Sequence, residues 1–250
     1  MLSEEALARA LERVGRSAPV RFYEVTRSTQ ETALEMALDG APEFTLVAAA
    51  HQTAGRGRLD REWRDVRGSG LLFSFVLRPE LPVERGGLLS LLAGSAMAHA
   101  IREVAGQRAA CKWPNDVLVA GRKAGGILAE SLVAGNTLEH VVLGIGVNLG
   151  SAPADVPGAG AVESSAEEVL QAFLDAFARG YEPAHPAFGG AVVEGYREVC
   201  ATIGMRVRAA RTDGTEVEGD AVDVDERGGL VVRTAEGDLV VRFGEVQHLE

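Results

Sequence analysis

The segment Lys112-Trp113-Pro114-Asn115-Asp116 packs a cation, a large aromatic, a rigid proline, an amide and a carboxylate into five consecutive positions. Proline restricts the backbone, so Asn115 and Asp116 can be held in one geometry against a ligand, a lysine nucleophile or Mg²⁺. A second basic segment follows, Gly121-Arg122-Lys123-Ala124-Gly125-Gly126-Ile127. The apolar run between them, Val117 to Val119, is short enough for a hairpin to bring Lys123 back toward Lys112 and turn both toward one pocket. The competing reading is a glycine-rich hairpin with exposed basic residues. Composition favours the pocket: only two of the 25 Lys and Arg residues are Lys, and both fall here. A compact ammonium is retained where a planar guanidinium does not substitute.

A third basic segment, Gly55-Arg56-Gly57-Arg58-Leu59-Asp60-Arg61-Glu62-Trp63, offers three arginines in six residues, with glycines that let backbone approach a ligand. This suits a phosphate or carboxylate. A solvated loop partly neutralised by Asp60, Glu62 and Asp65 is the alternative. Gly144-Ile145-Gly146-Val147-Asn148-Leu149-Gly150 is not a dinucleotide fingerprint, because its glycine spacing is wrong and a Pro-rich stretch follows it. A glycine-lined strand end beside a ligand fits better, with a bulge or close strand contact as the other option. His51, His99, His140, His185 and His248 are scattered, without metal-ligand or triad spacing. No serine nucleophile elbow or Walker loop occurs.

The net charge of −11 disfavours broad nucleic-acid binding, so an anionic ligand must meet concentrated positive charge. Cys111 and Cys200 are too few for a disulfide framework, and the acidic N-terminus MLSEEALARALERVG lacks the pattern of an export signal. A reducing cytoplasm is expected. The uncharged stretch from Gly86 to Ile101 falls short of a membrane span and reads as a buried helix. No membrane partner is expected.

These residues need a scaffold of mixed elements. Ser3 to Val14 has helical periodicity and stops at Gly15. Ser28, with Glu31 three residues on and Gly40 at the far end, predicts a helix with a capping box, which places Ser28 and Thr29 at a positive helix end. Strand-like runs cover Thr45 to Ala50 and Leu71 to Leu77, with Gly55 to Gly70 as a loop between them. A helix from Gly86 to Val104 precedes three further strands at Val117 to Val119, Gly126 to Val133 and Leu138 to Val147. Ser151 to Gly160 reads as loop. Helices are expected from Ser164 or Ser165 to about Arg179 and over Ala191 to Val199. From Gly204, short β segments separated by Asp213-Gly214, Arg227-Gly228-Gly229 and Glu236-Gly237-Asp238 suggest a small β-barrel, with a boundary near residue 201. The expected class is α+β: a mixed or antiparallel sheet with helices in 1–200, and a second unit in 201–250.

Taken in order, Ser28-Thr29, Gln52, GRGRLDREW, KWPND, GRKAGGI and GIGVN resemble the catalytic module of the biotin protein ligases over about residues 20–200. The tail from Gly204 is similar to that family's SH3-like domain. The resemblance implies a class II aminoacyl-tRNA-synthetase-like catalytic fold that forms biotinyl-5′-AMP from biotin and ATP with Mg²⁺. Biotin then passes to a lysine of a biotin carboxyl carrier protein. It implies biotin contacts from Ser28, Thr29, Gln52, Gly55, Arg56, Arg58, Lys123, Gly126 and Gly144. It implies ATP contacts from Arg58, Arg61, Trp63, Lys112, Asn115, Asp116 and Asn148. Arg58, Lys112, Asp116 and Lys123 are the implied catalytic set, and no metal ligands are assigned. The Gly55 to Gly70 loop is implied to close over the reactive intermediate.

Two positions depart from the family pattern: Gln30 stands where Asn usually follows the Ser-Thr pair, and Asp60 where Gly is common. The 27 residues before Ser28 are too few for a helix-turn-helix domain, so the form without a DNA-binding domain is expected, and a homodimer is left open. The rival readings are a lipoate ligase or acyltransferase of related fold, and a non-catalytic regulator.

Overall fold

The computed structural model describes residues 2–211, 214–242 and 244–249. Strand parity explains how its main sheet makes a site. Seven strands run in the order β1 (Val20–Tyr23), β2 (Leu46–Ala49), β5 (Gly70–Leu77), β9 (Thr137–Asn148), β8 (Arg122–Ala134), β7 (Asp116–Val119), β6 (Ala109–Lys112). Only β1 and β2 pair in parallel. Side chains alternate between faces along each strand. In the central β5, Leu71, Phe73, Phe75 and Leu77 enter the main core. There they meet the long helix α3 (Gly87–Ala105) and the helices α4 (Ala166–Gly180) and α5 (Phe188–Arg197). Phe75 packs edge-on against Phe173 and Phe177 of α4, 6.1 and 5.1 Å between ring centres.

The opposite face is covered only in part, by α2 (Thr29–Leu38). Its Ala33 and Ala37 pack on Val47, Val76 and Val142. Beyond the end of α2 this face carries Ser74, Gly126, Gly144 and Gly146, which share parity with Val76 and Val142. Small residues there leave the sheet open, and that opening becomes the floor of the cavity described below.

The elements depart from the sequence reading in several places. Strands β1 and β6 were not anticipated: each has four residues, and the burial of β1 shows no alternation. The Gly55 to Gly70 stretch is not all loop, because β3 (Gly55–Arg56) pairs with β4 (Glu62–Trp63). Leu59 and Asp60 make this reversal with φ of 53° and 57°, and the Gly57 amide donates to the Arg61 carbonyl at 2.7 Å. Asp therefore occupies a left-handed position that glycine would fill more easily.

At α2, Ser28 Oγ accepts from the Glu31 amide, but the Glu31 carboxylate turns to Arg27 at 2.9 Å, so only half of the expected capping box forms. The complete box is at Ser165 and Glu168, heading α4. Helix α5 begins three residues earlier than expected. A 3-10 turn at Val83–Arg85 leads into α3, so the helical stretch Val83–Ala105 is long and apolar enough to cross a membrane by length and composition, and most of it is buried.

After residue 201 the chain forms a five-stranded antiparallel sheet in the order β13 (Gly237–Val241), β12 (Leu230–Thr234), β11 (Glu216–Val224), β10 (Arg206–Arg211), β14 (Gly244–His248). The expected Asp213-Gly214 turn includes Asp213, which lies outside the described residues. The Trp113 indole is 2% exposed and locks the two sheets together. Its ring Nε1 donates to the Gly228 carbonyl and its amide to Thr202 Oγ1, both at 3.0 Å.

Candidate active site

A cavity of about 200 Å³ opens on the uncovered face of the main sheet, bounded by α2, the β3/β4 loop, the KWPND turn and strand β14. Its deep end is a chain of buried polar groups. The Thr29 amide and hydroxyl both donate to Gln52 Oε1, at 2.7 and 3.1 Å. Since Thr29 has spent its one hydroxyl hydrogen, Ser74 Oγ must be the donor in the 2.9 Å contact between the two hydroxyls. Gln52 Nε2 lies by the start of β3, where a Cβ on Gly55 would stand 3.0 Å from it. Ser28, fully buried at the N-cap, also lines the cavity. His51 Nδ1 meets Asp65 Oδ2 at 2.8 Å, and the Gln52 amide donates to Asp65 Oδ1, which fixes the stretch that carries Gln52.

Gln30, buried, also lines the cavity. Its Nε2 donates to the Val142 carbonyl at 3.1 Å, while its buried Oε1 has no partner. A Cβ on Gly144 would stand 2.4 Å from that oxygen. Gly126 and Gly146 are needed for another reason, because the Trp63 indole lies flat against their backbone. A Cβ on Gly146 would sit 2.5 Å from Trp63 Cε2, and one on Gly126 3.2 Å from Trp63 Cζ3. A side chain at Gly146 would displace the indole, and one at Gly126 would press it back by a few tenths of an ångström.

The cations arrive from three directions. Lys112 ends β6 and stands opposite Asp116 of β7. Asn115 is held at both ends of its amide: Oδ1 accepts from Arg58 at 3.2 Å and Nδ2 donates to the Ile127 carbonyl at 2.9 Å. The β7–β8 hairpin returns Lys123 so that its Nζ lies 2.6 Å from Asp116 Oδ1. Both lysines line the cavity, as the short run between them predicted. Arg58 also donates to the Gly244 carbonyl at 3.1 Å, and Arg61 pairs with Glu245 at 2.5 Å, so the second unit helps to seat the loop's arginines. Burial pulls the Arg58 pKa down, opposed by Glu245 and Asp116, and the guanidinium stays charged.

Of the residues singled out from sequence, Ser28, Thr29, Gln52, Arg56, Arg58, Arg61, Trp63, Lys112, Asn115, Asp116, Lys123, Gly126 and Gly144 all line this one cavity. The Arg56 guanidinium is engaged by Glu130 at 2.8 Å. Gly55 and Asn148 are not among the lining residues. Gly55 permits the β3–β4 contact, since a Cβ there would fall 2.5 Å from the Trp63 carbonyl oxygen. Asn148 Nδ2 donates to the Gly160 carbonyl, and the Gly160 amide donates to the Lys123 carbonyl.

Sequence reasoning missed Ser74, Glu245 and Val246 among the lining residues. Ser74 had a signal: it is the lone polar residue within the buried strand LLFSFVL. Glu245 had none, because its place depends on how β14 docks.

Comparison with known proteins matches this arrangement. Residues 22–148 fit the model of the biotin/lipoate A/B protein ligase family, and residues 202–249 that of the biotin protein ligase C terminal domain. The chain is 37% identical over 228 residues to the bifunctional ligase/repressor BirA of Bacillus subtilis, covering 86% of this chain and 70% of that protein. It is 35% identical to the biotin–[acetyl-CoA-carboxylase] ligase of Mycobacterium tuberculosis, over 90% of this chain and 86% of the relative. In fold it is similar to the biotin protein ligase of Aquifex aeolicus solved with biotin and ATP, with a TM-score of 0.72, 24% identity, and coverage of 92% and 97% of the two chains. On the agreement of sequence, fold and both domain models, the chain belongs to the biotin/lipoate A/B protein ligase family.

Proposed function

We propose that this enzyme is a biotin protein ligase that joins biotin to ATP as biotinyl-5′-AMP and then transfers biotin to a lysine of a carboxyl carrier protein. The observation that carries the reading is the convergence of Lys112, Lys123, Arg58 and Arg61 on one cavity whose deep end is built of buried hydroxyls and amides.

Attack of the biotin carboxylate on the α-phosphorus of ATP brings two anions together, and pyrophosphate leaves. Preorganised cations offset that repulsion, and each is worth more in a partly dry cavity than in water. In this reading Lys123 meets the carboxylate, while Lys112, Arg58 and Arg61 meet the phosphates. Trp63 offers an aromatic face for adenine. Ser28, Thr29 and Gln52 receive the ureido ring, with Gly126 and Gly144 leaving room for it.

This polar floor favours biotin over lipoate. The apolar ring of lipoate would leave the groups around Thr29, Ser74 and Gln52 without ligand partners, and sites built to hydrogen-bond a substrate reject analogues that lack the matching groups.

Mg²⁺ would enter on the ATP phosphates and reduce the charge that meets the attacking carboxylate. The donor set fits an ion carried by the nucleotide: among the described residues no group of three or more His, Cys, Asp and Glu gathers, while carboxylates such as Glu62 and Glu245 line the cavity. We further propose residues 1–200 as the catalytic unit, residues 201–250 as a unit that supports it, and the cytoplasm as the compartment.

The test is to mix the protein with biotin, ATP, Mg²⁺ and a carrier domain, and to look for one biotin mass increment on a single carrier lysine. Pyrophosphate exchange that depends on lipoate rather than biotin would overturn the assignment.

A further inference from the structure

A second cavity, of about 220 Å³, adjoins the first at the KWPND turn. Trp113, Pro114, Asn115 and Arg58 line both, so the turn and one guanidinium stand between them. The second cavity uses Leu138 and Val141 of β9, which belong to the core face, whereas the first uses Gly144 and Gly146. Its other walls are also apolar, from Val83, Leu91 and Ala129, with hydroxyls only from Ser90 and Ser131.

The charged lining is of one sign. Arg58 and Arg242 contribute, and no Asp or Glu does, in a chain whose net charge is −11. Arg242 pairs with Asp225 at 3.1 Å, whereas Arg58 makes no ion pair among the described residues and donates only to Asn115 Oδ1 and the Gly244 carbonyl. One positive charge is therefore left uncompensated beside apolar walls. The start of α3, where Gly86 and Gly87 line the cavity, has no side-chain cap and no acidic residue in its first turn, which adds to the positive potential. These features together fit a ligand with a single negative charge and a hydrocarbon tail. The volume lies below the roughly 300–1,000 Å³ of sites for drug-sized ligands, so the tail is short.

We propose that the second cavity binds a medium-chain carboxylate, whose head group draws Arg58 away from Asn115 and so weakens ATP binding in the first cavity. The effect on ATP rests on the biotin ligase reading above, and the binding itself does not. A guanidinium presents its N–H fork in one direction, so Arg58 meets either this carboxylate or the nucleotide phosphates. The first cavity does not compete for such a ligand, because an alkyl chain would leave its buried hydroxyls and amides without partners.

Octanoate is the probe. Calorimetry on the full chain is expected to show one octanoate bound, with 1-octanol and octylamine at least about tenfold weaker, since neither offers a charge that pairs with Arg58. Arg242→Leu removes a cation and Ala129→Phe fills the cavity. Each should weaken octanoate about 10–100-fold and, without octanoate, leave biotin-dependent pyrophosphate exchange within about twofold of wild type. In the wild type, octanoate should raise the KM for ATP and leave that for biotin unchanged. Failure to bind, displacement by biotin, or equal affinity for both variants and the wild type would each overturn the proposal. A raised ATP KM in Arg242→Leu without octanoate would assign the cavity to the polyphosphate chain and overturn it as well. Octanoate binding in a chain that shows no biotin-dependent exchange would refute the ligase reading while upholding the binding site. Thermal melts identify a misfolded variant, and Arg242→Gln then takes the place of Arg242→Leu.

Discussion

Two basic segments face the same cavity and are held in opposite ways. The KWPND turn is fastened to the core, with Trp113 buried between the two sheets and Asn115 tied at both ends of its amide. The Gly55 to Gly70 segment is held by the Arg58 hydrogen bonds, by Trp63 against the sheet, and outward by ion pairs of half-exposed arginines: Arg56 with Glu130, Arg61 with Glu245, and Arg64 with Asp155. Exposed pairs of this kind contribute little each and exchange readily. The contrast separates tasks. Lys112 and Lys123 stand on the main sheet, where the proposed reaction needs preorganised charge, while Arg58, Arg61 and Trp63 ride on a segment that we propose moves as a cover.

The contrast can be broken most severely at Trp113. Trp113→Ala empties a site between two sheets and orphans the Gly228 carbonyl, and it is expected to cost about 3–5 kcal/mol in chemical denaturation. Denaturation close to wild type would show that the turn is not anchored as described. Next is charge: Lys123→Ala should lower adenylate formation about 10²–10³-fold in single-turnover measurements, at nearly wild-type stability.

A smaller effect is expected where the cover meets the sheet. Gly146→Ala places a methyl group against the Trp63 indole and should weaken ATP binding about tenfold, measured by calorimetry, as the ring is displaced. Unchanged affinity would remove the indole from the nucleotide site. The smallest effect belongs to Arg64→Ala, which should change stability by less than about 0.5 kcal/mol. It should nevertheless speed hydrogen exchange across residues 56–63 of the ligand-free protein. Slow exchange there in both proteins would count against a movable cover.

Acidity offers a further probe of the anchored side. Burial and nearby Lys112 hold the His248 pKa below its ordinary value of 6.5. His248 Nε2 and Thr202 Oγ1 share a hydrogen bond at 3.1 Å, and the Thr202 oxygen accepts from the Trp113 amide. A depressed histidine pKa means that the unfolded chain takes up the proton more readily, so this contribution to stability is present above pH 6.5 and declines as pH falls below it. Replacing His248 with Gln should flatten stability across that interval in denaturation curves.

Much of the site was legible because its chemistry is written in residue types that are costly elsewhere. The two lysines, Trp63, Asn115 and Asp116 were found by scarcity and spacing, and Ser28 by its capping position. The central strands and α3 were legible because their apolar runs are long. The reading failed where the signal was short or shared. Strands β1 and β6 have four residues each, and β3 and β4 only two. Glu31 could close a capping box or pair with Arg27, and local spacing does not decide between them.

By itself, the sequence determined which chemical groups are present, which of them lie on neighbouring turns and strands, and that a concentrated positive site exists in an acidic chain. Only the tertiary structure decided which groups face one another. Asn148 and Gly55 belong to recognisable motifs yet do not line the cavity, because strand pairing turns them to other work. Ser74 and Glu245 belong to no motif and line it, because sheet parity and the docking of β14 bring them there. Local spacing is read along the chain, whereas a site is assembled across it.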